Sequence, residues 1–433
     1  MLLGNVRTFA SCELTVDGTS PKARAAVAQS SRLGAELSQA TAAHSLVLQT
    51  CSDDVAAAFL ELVPESAFSV QWARRLRAQT LSLAEETLVT ALAADGHAAW
   101  ANMYDNISSS LKCEVNGKSL GIAQASALLS DPDATTRREA WDAIQSAWKS
   151  AEEPAAAVLN AISGWRLSMN KRRGEAAGAP IHFLEPALHS NRMTKATLDA
   201  MMGAVTDGAS IGRRALKLQA RALGVDVLHA ADLFAPAPPV SGQSKGSGMR
   251  YDDAIDLIAT AVSKVDPSMG DIVRMMAAEG WVEATSGGNK APGAYCTGFP
   301  KQREPRVYLS AYSGSMTNVS TLAHELGHAY HSWVMRDMPL SETRYPMNLA
   351  ETASIFFETV VADALMEQAA EDPAERFKNG WYVYSAGSLL TSSLVSHSFC
   401  KETVVHRVGL TDSSEQVRLR VGRIVLAEHP VAF

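Results

Sequence analysis

The sequence predicts a mainly α-helical protein with one small β element, and three observations carry that prediction. From Ser20 to Trp100 the chain is rich in Ala, Leu, Ser and Gln, with apolar residues recurring at three- and four-residue steps and almost no Gly or Pro, which is the periodicity of packed helices. Between Gly280 and Ser310 the texture changes to short β-prone pieces, Trp281-Val282 and Arg306–Leu309, bracketed by Gly287, Gly288, Gly293, Gly298 and Pro300, and a small sheet is expected there. Directly afterwards Thr321–Trp333 reads as one helix, capped near Asn318 and ended by Pro339.

The other elements follow in order. A break is expected at Asn116-Gly117-Lys118, and Asp131–Leu167 reads as a helical stretch whose core side is Trp141, Ile144, Trp148, Leu159 and Ile162. Those aromatic residues fit a helix–helix seam better than a ligand box. Lys171-Arg172-Arg173, beside Gly174 and Gly178, is the solvated end of a helix rather than a binding patch. A further helix is expected over Lys195–Leu223, followed by a Pro-, Gly- and Ser-rich loop over Ala235–Arg250. Lys245 in that loop lacks the glycine spacing that cradles phosphate. No internal repeat is present.

Composition removes several classes of function. The chain has 433 residues, 47% hydrophobic and 20% charged, which suits a globular protein able to bury its own core. A net charge of −7 with no basic stripe argues against nucleic acid as a partner. Five scattered cysteines, Cys12, Cys51, Cys113, Cys296 and Cys400, form no CxxC pair and read as reduced thiols of a cytoplasmic compartment, with Cys296 serving as a small buried hydrophobe. No apolar run approaches the roughly 20 residues of a membrane span, and Met1–Cys12 lacks the layout of a secretory signal.

The chemistry is concentrated in His324-Glu325-Leu326-Gly327-His328, an HExxH motif on the expected helix Thr321–Trp333. Residues i and i+4 share a helix face, so both imidazoles reach one ion while Glu325 lies beside it as a general base. Chance alone produces HExxH in about one or two chains in a hundred, so the motif needs support. A catalytic zinc site takes three protein ligands and keeps one position open, and Glu351, 23 residues after His328 on a second expected helix after Pro346, is the candidate third ligand. The competing reading makes Asn348 an N-cap and Glu351 its capping-box partner. Glu358, two turns further along the same face, is placed to accept the second N–H of a ligating imidazole, or else is an exposed helix glutamate. His331 is expected behind the site or in packing, because i+3 on the same rod closes a tetrahedron poorly with i and i+4. His97, His182, His189 and His229 have no ligand spacing. One Zn2+ per chain is therefore expected, and with it peptide hydrolysis by an activated water.

With HELGHAYH at 324–331 and AETASIFFE at 350–358, the chain resembles the M3 family of metallopeptidases, nearest its oligoendopeptidase F branch. KAPGAYC at 290–296, Val307–Leu309 and Thr321-Leu322-Ala323 extend the likeness upstream, as do Leu128–Arg173 and Ala215–Pro236. The resemblance implies a two-lobed helical zincin-type peptidase whose channel admits short peptides and excludes folded proteins. It implies the same roles for His324, His328, Glu351 and Glu325, and places Gly293, Ala294 and Tyr295 along the bound peptide, paired as a strand edge. The implied modules are an N-terminal helical segment (1–100), a helical domain typical of the branch (101–185) and a catalytic domain (186–433).

Two departures from the family pattern qualify those expectations. The chain starts inside the family's first helical segment, which leaves an organellar location open beside the cytoplasmic one. Only 82 residues follow Glu351, and the downstream His and Tyr that hold the oxyanion in the family have no match. Trp381-Tyr382-Val383-Tyr384 arrives too early to supply them. Beyond about Lys378 the pattern turns to Ser, Val and His, with strand-like alternation at 417–421, and a frameshift is compatible with one back-translation of 394–405. Two alternatives to an active zinc oligopeptidase follow: an impaired fragment that still binds zinc, and a helical zinc carboxypeptidase. Oligomeric state and peptide preference are not legible.

Overall fold

A computed structural model describes residues 1–238, 248–285, 289–291 and 293–369. The expectations for 378–433 lie outside these residues. The described residues divide into two compact units that interleave along the sequence: residues 1–77 with those from 248 to 369, and residues 78–238. The three consecutive modules inferred from family likeness stand as a proposal about homology, separate from this division by contact. No described helix is long and apolar enough to cross a membrane.

In the second unit, the break expected at Asn116-Gly117 is a hairpin turn. Strands Lys112–Val115 and Lys118–Gly121 pair antiparallel, and Asn116 and Gly117 carry φ of 51° and 72°. This is the left-handed pair a two-residue turn requires, and Asn-Gly supplies it at least cost. The single stretch expected over 131–167 is two helices, Ala134–Ser150 and Glu152–Ala177, separated at Ala151. Trp141, Ile144, Trp148 and Ile162 pack in the core of this unit as expected, whereas Val158 rather than Leu159 joins them from the second helix. Arg137, 4% exposed, donates from Nε (3.1 Å) and Nη2 (2.8 Å) to Asp232 Oδ1 and from Nη1 to the Asp131 and Pro132 carbonyls. Gln219 Nε2 donates to the Asp232 carbonyl. Two segments that carry the family likeness, 128–173 and 215–236, are thus joined by a buried, hydrogen-bonded ion pair whose guanidinium is fully engaged.

The first unit positions the motif. Its sheet has Glu304–Leu309 in the middle, Val282–Glu283 parallel on one side and Ala294–Phe299 antiparallel on the other, so Ala294–Phe299 is an edge strand. Val307 and Leu309 point to one face and share a core with Val319, Leu322 and Leu326 of the motif helix. Helices Tyr251–Ser263 and Pro267–Ala278, which the periodicity reading passed over, complete that core with Ile258, Val262, Val273 and Met276. The opposite face carries Tyr295 stacked on Tyr308, and the N-terminal helix Leu2–Val16 lies against it: Tyr295 donates to Thr15 Oγ1, and Thr8 Oγ1 to the Gly298 carbonyl.

The motif helix runs Met316–Val334, longer at both ends than expected. Its N-cap is Ser315, whose hydroxyl accepts the Asn318 N–H; Asn318 instead accepts from Ser313 N and Oγ, so the cap lies three residues before the expected one. The helix ends at Val334, before Pro339 is reached.

Candidate metal centre

Two helices build the site. The motif helix presents His324 and His328 one turn apart. A short helix, Met347–Ala350, stops at Glu351, and Thr352–Gln368 resumes immediately afterwards, so Glu351 sits at the junction. The position before the short helix is Pro346 and no side chain caps it, so the capping-box alternative for Asn348 and Glu351 is absent.

Gly327 decides how closely these helices approach. A methyl group on its α-carbon would lie 2.6 Å from the Ala353 carbonyl oxygen and 2.7 Å from Ser354 Cα, both backbone atoms. Only glycine allows this crossing. Helix propensity alone would favour Gly327→Ala by about 1 kcal/mol, yet overpacking against backbone costs typically about 1–3 kcal/mol. We therefore expect Gly327→Ala to lower the melting temperature of the metal-free protein and to weaken zinc binding together. An unchanged melting temperature would show that the crossing relaxes freely.

The donor atoms converge. Glu351 Oε2 lies 3.1 Å from His324 Nε2 and 3.3 Å from His328 Nε2, and one atom from each of the three residues falls within 4.8 Å of the others. The imidazoles meet edge to face, 4.8 Å between centroids. Each ring is held from behind. His324 Nδ1 is 2.6 Å from Glu358 Oε1, and His328 hydrogen-bonds the Ala350 backbone. A carboxylate can only accept, so His324 Nδ1 carries the proton toward Glu358, and the Nε2 atom of each ring faces Glu351. Glu358 in turn accepts from Ser320 Oγ at 2.9 Å, and Ser354 Oγ lies 2.9 Å from Glu351 Oε2 and 3.0 Å from its carbonyl.

Two imidazole Nε2 atoms and a carboxylate oxygen converging on one another form a set of potential electron-pair donors. A cation of the zinc type fits such a set, with His₂Glu as its ligands.

Glu325 is 6% exposed, and its Oε2 has no hydrogen-bond partner. Burial, reinforced by the charges of Glu351 and Glu358 and opposed by His324, pushes its pKa up to about 7. Burial also draws the His324 pKa down, but the Glu358 hydrogen bond and the surrounding carboxylates outweigh it and leave the value raised. His328 is lowered, by burial first, against the pull of Glu351.

The remaining candidates are placed as follows. His331 stacks on Tyr345 at 4.5 Å, its Nδ1 buried without a partner, and burial lowers its pKa. The Gly293 carbonyl accepts the Ser310 N–H. By the alternation of an antiparallel ladder, Gly293 and Tyr295 therefore spend their backbone groups on the neighbouring strand, while Ala294, Cys296 and Gly298 turn theirs outward. Of the three expected substrate-side residues, only Ala294 offers a free backbone edge. Cys296, half-buried against the core, adds a second, and Thr8 occupies the Gly298 carbonyl. Cys12, Cys51, Cys113 and Cys296 are free thiols. Sequence reading missed Gly327, Ser320, Ser354 and the Ala350 carbonyl. Ser320 lies one turn before His324 and Ser354 one turn after Glu351, a spacing that would have found them; the Ala350 carbonyl leaves no sequence signal.

His324, His328 and Glu351 thus form a donor group, on crossed helices beside a small sheet, that could hold a metal ion. Residues 261–401 match the model of Peptidase family M3. Group B oligopeptidase PepB of Streptococcus agalactiae is 23% identical over 250 residues, 57% of this chain and 39% of that protein, and Oligopeptidase PepF of Bacillus subtilis is 25% identical over 195 residues, 44% and 28% of the two. A crystal structure of a protein from Chlamydophila abortus assigned as a peptidase superposes with a TM-score of 0.69 at 22% identity, over 98% of this chain and 68% of that one. The chain spans about two fifths or less of the curated relatives it matches. The match to the family model and the likeness to these oligopeptidases make the chain similar to peptidase family M3, with oligoendopeptidase F proteins among its relatives.

Proposed function

We propose that the chain is a zinc-dependent metalloendopeptidase acting on short oligopeptides, with His324, His328 and Glu351 as ligands and Glu325 as general base. The observation that carries the reading is the convergence of two imidazoles on one carboxylate oxygen, with a buried glutamate, its Oε2 unpartnered, one residue along the motif. The ion supplies polarisation of the scissile carbonyl and acidification of water. Everything else falls to the chain. Glu325, its pKa raised to about 7, takes a proton at Oε2 from the attacking water and returns it to the leaving amine. Glu358 keeps the His324 ring in the tautomer that binds a metal, and the Ala350 backbone holds the His328 ring. The outward N–H and C=O groups of Ala294 and Cys296 hold the peptide extended as an added strand, which suits unstructured peptides and rejects folded ones.

The test is metal content together with peptide cleavage. We expect one zinc per chain and cutting of short peptides blocked at both ends, with no degradation of a folded protein, as the narrow channel implied by the family resemblance requires. Cleavage confined to peptides with a free C-terminus would make the chain a carboxypeptidase. Zinc binding without any cleavage would leave a metal-binding protein that lacks the activity.

A further inference from the structure

We propose that Ser320 and Ser354 are positioning residues of the metal centre, one hydroxyl from each helix, which fix the two carboxylates that act on zinc. The inference rests on the metal-site reading above. It goes further in assigning a role to two serines outside the HExxH motif and outside the ligand set.

For Ser320 the contrast with other helix serines carries the argument; for Ser354 it is the position of its hydroxyl against the carboxylate oxygen that faces both rings. Inside a helix, a serine hydroxyl finds its easiest acceptor in its own backbone one turn earlier. Ser30, Ser108, Ser109, Ser110, Ser150 and Ser190 all donate to the carbonyl three residues back. Ser320 donates instead across to Glu358, 38 residues away on another helix, at 2.9 Å. That bond falls on Oε2, while Oε1 takes the His324 ring. The two bonds together fix the carboxylate plane, and the plane fixes the ring. Ser354 is wholly buried, and its hydroxyl lies between the Glu351 carbonyl three residues back, at 3.0 Å, and Oε2 of Glu351, at 2.9 Å, the same oxygen that faces both Nε2 atoms. Holding one lone pair of that oxygen leaves the other directed at the ion. Each serine thus removes a rotation that ligand binding would otherwise have to freeze.

The experiment measures zinc affinity of the full chain by competition with a chromophoric chelator. Ser320→Ala and Ser354→Ala are each expected to weaken zinc about 10-fold or more, as loss of an outer partner of a metal ligand typically does. The melting temperature of the metal-free protein should stay unchanged, because alanine suits a helix and neither serine is needed for packing. Ser320→Thr, which keeps the hydroxyl, should restore affinity. The decisive comparison is a cycle with Glu358→Ala: once the carboxylate is gone, Ser320→Ala should cost nothing further. An equal loss in both backgrounds, or wild-type affinity in Ser320→Ala, overturns the role of Ser320; wild-type affinity in Ser354→Ala overturns that of Ser354. If the wild-type chain itself binds no zinc, the metal-site reading falls first and the inference falls with it.

Discussion

Glu325→Gln is expected to keep one zinc per chain and to lower kcat for a blocked peptide by about 10³-fold, the middle of the range for a lost general base. Gln has the same shape and leaves His324, His328 and Glu351 in place, so metal content separates this variant from any ligand change. Normal turnover by the Gln variant would remove Glu325 from the mechanism. A second readout follows from its environment. In the metal-free protein Glu325 has its pKa raised from 4.5 to about 7. Between those values the folded state holds a proton that the unfolded state has released, so the slope of unfolding free energy with pH is negative for this group. Its contribution is full below about 4.5 and is lost as the pH rises through about 7. The difference in stability between wild type and Glu325→Gln, measured by urea titration after chelation, should shift over that window. A pH-independent difference would show that the glutamate is not held in a desolvated site.

Glu351→Ala is expected to abolish stoichiometric zinc while the metal-free protein folds as before. The carboxylate contributes the single oxygen on which both Nε2 atoms converge, and without it two imidazoles remain, too few for a catalytic zinc centre. The side chain is 48% exposed at the junction of two helices, so its removal leaves no cavity. Ser354 keeps its bond to the residue 351 carbonyl, and its hydroxyl is not orphaned. Metal analysis after gel filtration, with circular dichroism on the same sample, decides the matter. Stoichiometric zinc and normal turnover in Glu351→Ala would dismiss the carboxylate as a ligand.

Much of this was legible in the chain because it is local. HExxH on a 3.6-residue period puts His324 and His328 on one face whatever the surroundings, and Glu358 lies on the face of Glu351 by the same arithmetic. The change of texture near Gly280 foretold the sheet, although Asn116-Gly117 was read as a break when its dipeptide already specified a hairpin. Helices Tyr251–Ser263 and Pro267–Ala278 are apolar and amphipathic enough for periodicity alone to mark them.

What the sequence determined by itself is the metal motif, its helix and the helical class, because each depends on spacing within a single element. What only the tertiary structure decided is where elements meet. Gly327 is an unfavourable helix residue until the Ala353 carbonyl is seen pressed against it. Glu351 has the spacing of a cap until its helix is seen to stop there and aim the carboxylate at two rings. Ser320, Ser354 and the Ala350 carbonyl orient those groups through bonds between segments brought side by side. Such contacts obey no sequence period, since the distance that matters is across a helix crossing rather than along the chain.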